Sequence, residues 1–228
     1  MQLTVLGRYG PYPKKGGATS CYLVEQNNTR LILDMGAGTL SRILSKIDAK
    51  DIDGIFLSHL HFDHTSDLLS FRYLLDELGM PVTIYTRYVD SEWYKILCLH
   101  PKFKVVNIDE NTLIKLGEFT LSFYEMSHST PNYAIKIVGD KTLVYTGDTS
   151  YNENILNAIQ GADLVVADCS KMQGFLGPHM TVDKAVEIHK KTGVKILATH
   201  LDPNYSPEEY FSTYPDINVA IEGKTYQV

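Results

Sequence analysis

His59-Leu60-His61-Phe62-Asp63-His64 is the stretch of sequence that decides the fold of this 228-residue chain. Four residues with metal-binding side chains fall within six positions, and they directly follow an apolar run, 54–58, that predicts a buried strand. Imidazole and carboxylate groups are ligands of Zn²⁺ and its first-row neighbours. Side chains two residues apart in an extended chain point the same way, so His59 and His61 are expected to face one point. Asp63 and His64 follow as the chain turns, so one short loop can supply two neighbouring metal ions.

Length and composition are those of an ordinary globular protein. At 228 residues, with 44% apolar and 21% charged residues, the chain can bury a sizeable core, and we place no domain boundary within 1–228. Residues 1–7 read as a first strand and lack the basic start and long apolar region of a signal peptide. No apolar run approaches the length needed to cross a bilayer. We therefore expect a single-domain cytoplasmic protein that has no membrane partner.

Cysteine usage indicates the redox compartment, and the net charge restricts the class of partner. Cys21, Cys98 and Cys169 form no CxxC pair, which fits reduced thiols. The net charge is −6, and lysines cluster only in the pairs 14–15 and 190–191. Nucleic-acid-binding proteins usually present a basic face, so nucleic acid is disfavoured as a partner. A small anionic substrate remains compatible, because bound metal ions would dominate the local field.

Apolar, β-branched runs recur along the chain and alternate with helical patterns. The runs predict strands at 3–6, 21–24, 31–33, 55–57, 82–85, 119–123, 134–138, 142–145, 164–167 and 196–199. Helical periodicity predicts helices at 39–47, 67–78 and 181–191, and weaker ones at 91–97, 152–158 and 207–214. Strands that follow one another without a helix, as in 134–145, indicate antiparallel pairing. The order therefore predicts two mixed sheets covered by helices.

Further candidate ligands each follow a strand-like run. His128 comes after 119–123, Asp148 after 142–145, and His200 directly after 196–199. Ligands at strand ends converge on one edge of a sheet, which is the usual position of an α/β active site. We therefore group these three residues with the stretch 59–64.

The order of these motifs resembles the metallo-β-lactamase superfamily. The resemblance is carried by HLHFDH at 59–64, then His128, then Thr146-Gly147-Asp148, then Thr199-His200, and it extends over nearly the whole chain. The opening segment and Pro178-His179-Met180-Thr181 resemble the ribonuclease Z-like branch. The resemblance implies an α/β protein with a four-layer αββα sandwich of two mixed sheets and a dinuclear metal site at one edge. It also implies a homodimer.

The resemblance implies a set of seven metal ligands. His59, His61 and His128 would hold one ion, Asp63, His64 and His200 would hold the other, and Asp148 would bridge the two. Such a site leaves room for a bridging water or hydroxide. The histidine-rich set favours Zn²⁺, with Mn²⁺ or Fe²⁺ as the alternatives. Asp34 is interpreted either as a group that orients a ligand histidine through its other ring nitrogen or as a turn residue before Gly36.

Two residues are candidates for proton transfer. In phosphodiester hydrolysis, hydroxide attacks phosphorus in line, and the departing alkoxide needs a proton. The resemblance assigns this role to His179, and Asp63 is a candidate both as a ligand and as a participant in proton transfer. Ribonuclease Z-like proteins commonly support the catalytic histidine with a glutamate near 167–170. This chain offers Asp168 there, in a register that leaves the supporting residue open.

These residues predict a dinuclear metal-dependent hydrolase that acts on a small phosphodiester of the cyclic-nucleotide or phosphorylcholine type. A tRNA 3′-processing endonuclease is disfavoured, because only nineteen residues separate His128 from Asp148 and leave no room for the arm that grips tRNA. Thioester and lactone hydrolases share every metal ligand but not the motif His179-Met180-Thr181. A binding protein without activity is least favoured, because all seven ligand positions hold competent side chains. The loop with Arg8, Tyr9 and Tyr12 is expected to reach the mouth of the site.

Overall fold

Two mixed sheets form the centre of the molecule in a computed structural model that describes residues 1–171, 174, 176–206 and 217–228. The first sheet contains β1 (Gln2–Gly7), β2 (Cys21–Gln26), β3 (Thr29–Leu33), β4 (Gly54–Phe56), β5 (Val82–Thr86), β6 (Phe103–Asn107) and β14 (Thr225–Gln227). The second contains β7 (Leu113–Leu116), β8 (Phe119–Met126), β9 (Asn132–Val138), β10 (Thr142–Tyr145), β11 (Leu164–Asp168), β12 (Lys195–Thr199) and β13 (Asn218–Val219).

The two sheets share one pattern of strand directions. The first sheet runs β14-β1-β2-β3-β4-β5-β6, and the second runs β13-β12-β11-β10-β9-β8-β7. In the first, β14 to β3 pair antiparallel and β3 to β6 pair parallel. In the second, β7 to β10 pair antiparallel and β10 to β13 pair parallel. The prediction of two mixed sheets is confirmed.

Helices cover the outer face of each sheet. The helices are α1 (Leu40–Leu44), α2 (Phe62–Thr65), α3 (Leu68–Leu78), α4 (Glu92–Leu99), α5 (Glu153–Ile159) and α6 (Val182–Thr192), with a short 3₁₀ turn at Ala49–Asp51. Apolar side chains of α1, α3 and α4 pack on the first sheet, and those of α5 and α6 pack on the second. A third apolar cluster, which includes Val5, Leu33, Phe123 and Leu197, lies between the sheets. The fold is thus the predicted αββα sandwich.

The central strands read as continuous apolar runs because both of their faces are buried. In β3, Leu31 and Leu33 enter the cluster between the sheets, whereas Ile32 packs under the helices. All ten predicted strands are present, and the predicted helices are present except the one at 207–214, which lies outside the described residues. In the part of the chain that the structure describes, no helix is both long and apolar enough to cross a membrane.

Candidate metal centre

The candidate ligands come together where strands of both sheets end. The stretch 59–64 follows β4 in the first sheet. In the second sheet, His128 follows β8, Asp148 follows β10 and His200 follows β12. At Asp148 the turn depends on Gly147, whose φ of 58° is a conformation that glycine adopts without strain. The side chains therefore meet at one edge of the sandwich, as expected from strand ends.

A first cluster contains three imidazoles and one carboxylate. His59 Nε2 lies 2.9 Å from His61 Nδ1, and His128 Nε2 lies 3.2 Å from the same atom. Oδ2 of Asp148 is 3.6 Å from His59 Nε2 and 3.8 Å from His128 Nε2. Four ligands around a tetrahedral zinc ion stand about 3.3 Å apart, given metal–nitrogen bonds of about 2.0–2.1 Å. The four measured distances lie on either side of this value, so the cluster suits a tetrahedral ion.

A second cluster shares Asp148 with the first. His200 Nε2 lies 3.1 Å from Asp63 Oδ2 and 3.2 Å from Asp148 Oδ2. His64 Nε2 lies 3.5 Å from Asp63 Oδ2 and 3.3 Å from Asp148 Oδ1. His64 Nε2 and Asp148 Oδ1 are buried and have no hydrogen-bond partner. Buried polar atoms without partners are costly unless they bind something, so these two atoms fit a metal ion.

Asp34 orients His64 by contacting the ring nitrogen that points away from the cluster. Its Oδ2 is 2.7 Å from His64 Nδ1 and accepts hydrogen bonds from the hydroxyls of Tyr145 (2.6 Å) and Ser58 (2.8 Å), while Oδ1 accepts from the Ser58 N–H (2.8 Å). Its backbone is left-handed, with φ of 57°, before the turn at Gly36. Both interpretations of Asp34 therefore hold, since a turn residue also orients a histidine. With Nδ1 occupied, His64 directs Nε2 into the cluster.

The outer nitrogens of His59 and His128 are also occupied. His59 Nδ1 is 3.1 Å from the hydroxyl oxygen of Ser58, whose proton goes to Asp34. His128 Nδ1 is 2.9 Å from the Pro178 carbonyl oxygen, which can only accept. Each imidazole therefore carries its lone pair on Nε2, which is the atom that faces the cluster.

The histidines of the two clusters differ in the direction in which their pKa values are shifted. Burial lowers the pKa of His59, His61 and His128, so these imidazoles are neutral and ready to bind a cation. Burial alone would also lower the pKa of His200, but the charges of Asp148 and neighbouring carboxylates raise it to about 9. At His64, too, burial alone would lower the pKa, but the neighbouring carboxylates outweigh burial and raise it well above its usual range. In the metal-free protein the second cluster therefore carries protons that a metal ion would displace.

The Asp148 carboxylate stays ionised. Burial would raise its pKa, but the charges of His200 and His64 outweigh burial and lower the pKa well below the usual range. Asp63 behaves in the same way, because His64 and His200 lower its pKa against the effect of burial. Each cluster therefore has a carboxylate that is charged without a metal ion and can accept one.

His179 stands beside the clusters with a carboxylate of its own. Its Nδ1 lies 2.9 Å from Oδ2 of Asp168, which is buried at the end of β11, and 3.9 Å from Oδ2 of Asp148. Asp168 is fixed by the N–H groups of Thr149 and Ser170, each 3.0 Å away. The residue that contacts His179 is therefore Asp168, which answers the question that the sequence left open.

Sequence reasoning placed the loop with residues 8–12 at the site but not its side chains, and it missed two contacts. Arg8 does not reach the mouth of the site, because its guanidinium is bound to the Ala220 carbonyl and the Tyr9 hydroxyl. Tyr9 is buried, and Tyr12 is exposed with its hydroxyl on Asn204. The missed contacts are those of Tyr145 with Asp34 and of the Pro178 carbonyl with His128. A buried tyrosine next to Thr146-Gly147-Asp148 was the available signal for the first, and the second has no side-chain signal.

The αββα sandwich with a histidine–aspartate cluster at one edge defines the class of metallo-hydrolases with the metallo-β-lactamase fold. A family model described as "Beta-lactamase superfamily domain" matches residues 29–200, three quarters of the chain. The chain belongs to this superfamily.

Relatives of known sequence and structure agree with that assignment. The probable metallo-hydrolase YhfI of Bacillus subtilis is 30% identical over 212 residues, which cover 88% of this chain and 87% of the relative. The crystal structure of YhfI superposes with a TM-score of 0.91 at 27% identity, covering 99% of this chain and 98% of that one.

Two more distant structures share the fold. A diphosphatase from the PhnP family has a TM-score of 0.83 at 19% identity, with 100% of this chain and 97% of that chain covered. The short form of human tRNase Z has a TM-score of 0.79 at 18% identity, with 100% and 99% covered. On the family match and the relation to YhfI, the protein is a metallo-hydrolase of the metallo-β-lactamase fold, and its candidate ligand clusters suit divalent metal ions.

Proposed function

We propose that the protein is a phosphodiesterase that hydrolyses a small phosphodiester, such as a cyclic nucleotide or a phosphorylcholine-type ester. One observation carries the proposal: His179 is held by Asp168 at 2.9 Å and stands within 3.9 Å of Asp148, the carboxylate common to both clusters. The printed names of two structural relatives, a diphosphatase and a tRNase, also refer to phosphate chemistry.

The proposed ligand set is the one that the two clusters define. His59, His61 and His128 would hold one ion, Asp63, His64 and His200 the other, and Asp148 both. Five histidines favour Zn²⁺, with Mn²⁺ and Fe²⁺ as the alternatives. Two such ions, when bound, supply a water-derived nucleophile at neutral pH and neutralise charge on the phosphoryl oxygens, a contribution of roughly several kcal/mol.

His179 would protonate the leaving group. Asp168 accepts at Nδ1, so the imidazole presents Nε2 away from its carboxylate partner. As the bond between phosphorus and the leaving oxygen breaks, Nε2–H donates its proton to that oxygen and the ring becomes neutral. A later proton from solvent restores the ring. This pairing has the logic of a general acid oriented by a buried carboxylate.

Asp63 is the proposed second participant in proton transfer. Its Oδ2 faces His200 at 3.1 Å and His64 at 3.5 Å, and the lowered pKa keeps the carboxylate charged. A charged carboxylate beside the reacting centre can take up the proton of the attacking water while remaining close to the metal position.

The chain between His128 and Asp148 supports a small substrate. All nineteen intervening residues are described, and most of them form the antiparallel pair β9–β10 with a short turn at 139–141. They contain no projecting arm, and the net charge of −6 offers little attraction for tRNA. Both features disfavour a tRNA endonuclease.

A substrate panel tests the proposal. Protein loaded with Zn²⁺ or Mn²⁺ is incubated with bis(p-nitrophenyl) phosphate, cyclic nucleotides, a phosphorylcholine diester, a thioester, a lactone and precursor tRNA. We expect turnover of small diesters, and His179→Ala should slow it by about 10²–10⁴ while both ions stay bound. His100→Ala serves as the matched control, since His100 contacts Asp76 and Phe103 rather than the clusters.

Three outcomes would contradict the proposal. Turnover confined to the thioester or lactone would reassign the reaction, and cleavage confined to tRNA would reassign the substrate. Loss of metal in His179→Ala would show that His179 is a ligand rather than an acid.

A further inference from the structure

The loop between β1 and β2 passes directly over the ring of His200. A Cβ atom added at Gly10 would lie 2.0 Å from Nε2, 2.2 Å from Cε1 and 2.5 Å from Cδ2 of that histidine. Real Cβ atoms do not approach other heavy atoms this closely, and the three distances place the added atom against the face of the imidazole. Any residue larger than glycine at position 10 would therefore need space that the His200 ring occupies.

Both sides of this contact are fixed by main-chain hydrogen bonds. The N–H of Gly10 donates to the Leu201 carbonyl (3.2 Å), and the N–H of Leu201 donates to the Arg8 carbonyl (2.8 Å). His200 itself has φ of 54°, a left-handed conformation that is unfavourable for a non-glycine residue. The loop thus pairs with the strained segment at His200, and neither backbone can retreat without breaking these bonds.

Two further imidazole rings and a carboxylate lie close to the ring of His200. The ring of His179 is nearly parallel to it at 5.0 Å between centroids, and the ring of His64 at 5.4 Å. Nε2 is also 3.1 Å from Asp63 Oδ2. A ring displaced by a new Cβ would therefore have to leave the position in which Nε2 faces the second cluster.

We infer that Gly10 is a positioning residue for the second metal position, where it sets the place of the His200 imidazole. The inference depends on the proposed role of His200 as a ligand. The three atoms nearest to the added Cβ all belong to His200, so the first cluster of His59, His61 and His128 should be left intact. A side chain at position 10 should then cost one ion of the two.

The test compares Gly10→Ala with Gly139→Ala and the unmodified protein. Gly139 is a matched control, because its added Cβ also meets a side-chain atom at 2.1 Å, but that atom is the flexible end of Gln26. Metal-free proteins are titrated with Zn²⁺ against a chromophoric chelator, and bound metal is counted after desalting. We expect two ions in the control and one in Gly10→Ala, with the second ion bound at least about tenfold more weakly, the range seen for residues that orient ligands.

His200→Ala separates this inference from the proposed ligand set. Two tightly bound ions in His200→Ala would remove the proposed ligand role itself. One ion in His200→Ala together with two tightly bound ions in Gly10→Ala would overturn the inference on Gly10 alone.

A double mutant keeps the test decisive if Gly10→Ala folds poorly. In Gly10→Ala/His200→Ala the new Cβ has room, so the loss of stability caused by the alanine should be smaller than in the histidine background, as measured by urea unfolding of metal-free protein. Equal losses in both backgrounds, or failure of the double mutant to fold, would mean that Gly10 serves the backbone and not His200.

Discussion

Tyr145 is the residue that ties the core of the sandwich to the candidate site. Its ring lies in the cluster between the sheets, 5.0 Å from that of Tyr22, while its hydroxyl donates to Asp34. Asp34 in turn holds His64. A side chain of the core thus helps to set the direction of a candidate ligand through one carboxylate.

Removal of the Tyr145 hydroxyl should weaken metal binding without loss of the fold. In Tyr145→Phe the ring remains, but Asp34 loses one of its donors and constrains His64 less. We expect affinity for the second ion to fall by about 10–100-fold, measured by chelator competition. Tyr94→Phe is the control, because that hydroxyl donates to Asn107 away from the clusters. Unchanged affinity in Tyr145→Phe would show that Ser58 suffices to fix Asp34.

The raised pKa values of His64 and His200 predict proton release on metal binding. Both groups are charged at pH 7 in the metal-free protein, so a metal ion must expel their protons, and its apparent affinity should rise from pH 7 toward about 9. Calorimetry in two buffers with different ionisation enthalpies measures the release. Equal heats in both buffers would contradict the prediction.

The raised pKa of His200 also determines the sign with which the stability of the metal-free protein depends on pH. An unfolded histidine has a pKa of about 6.5, and the folded value for His200 is about 9. The stabilisation from its carboxylate partners is therefore fully present below about pH 6.5 and is lost as pH rises through about 9. Other groups add their own dependence, so the comparison is between the unmodified protein and His200→Ala.

Strands in the interior of each sheet were predictable, and edge strands were not. The ten predicted strands are β1–β5 and β8–β12, which have a neighbour on both sides. The four edge strands, β6, β7, β13 and β14, were missed. An edge strand with an exposed face carries a weak apolar signal, as in β7, where Leu113 is exposed and Ile114 only half-buried. Burial produces the sequence signal, so strands with little burial escape it.

The helix signals placed the elements to within a few residues but did not show how each helix begins. The N-cap of α3 is Asp67, whose side chain makes no cap bond in its own helix. The Asp67 carboxylate instead accepts from the N–H groups of Thr39 and Leu40, both at 2.7 Å, at the start of α1. A cap supplied by a residue 27 or 28 positions away leaves no local pattern.

Asp67 should therefore stabilise a helix to which it does not belong. Asp67→Ala leaves the first N–H groups of α1 without an acceptor, and we expect the free energy of unfolding to fall by about 0.5–2 kcal/mol. Asp48→Ala is the control, because Asp48 precedes the 3₁₀ turn and its side chain makes no cap bond. Urea unfolding of both variants gives the comparison, and equal losses would refute the capping role.

The site was predictable where its chemistry lies in the side chains of recognisable motifs. All seven proposed ligands and His179 lie together as the motifs indicated. The partners that orient them come from distant positions, since Tyr145 lies 111 residues from Asp34 and Pro178 lies 50 residues from His128. Contacts of that kind arise only when the two sheets pack. The ligand roles themselves, the homodimer and the cytoplasmic location stay predictions.

Burial across the whole molecule determines which thiols react. Cys21 and Cys169 are buried, and burial raises their pKa, whereas Cys98 on α4 is exposed. A thiol reagent should therefore label one cysteine in the native protein and three in denaturant. Mass spectrometry of the labelled protein identifies the site. Rapid native labelling of Cys169 would show that the end of β11 beside Asp168 opens readily.

Each candidate cluster takes its side chains from both sheets: residues 59–64 follow β4, and the other ligands follow β8, β10 and β12. Bound ions would therefore cross-link the two sheets, in addition to any part they play in hydrolysis. A ligand that binds only the native state at 1,000 times its Kd adds about 4.1 kcal/mol of stability. Removal of the ions by a chelator should then weaken the contact between the two sheets at the edge that holds the clusters. Resistance to proteolysis would measure how many ions are bound.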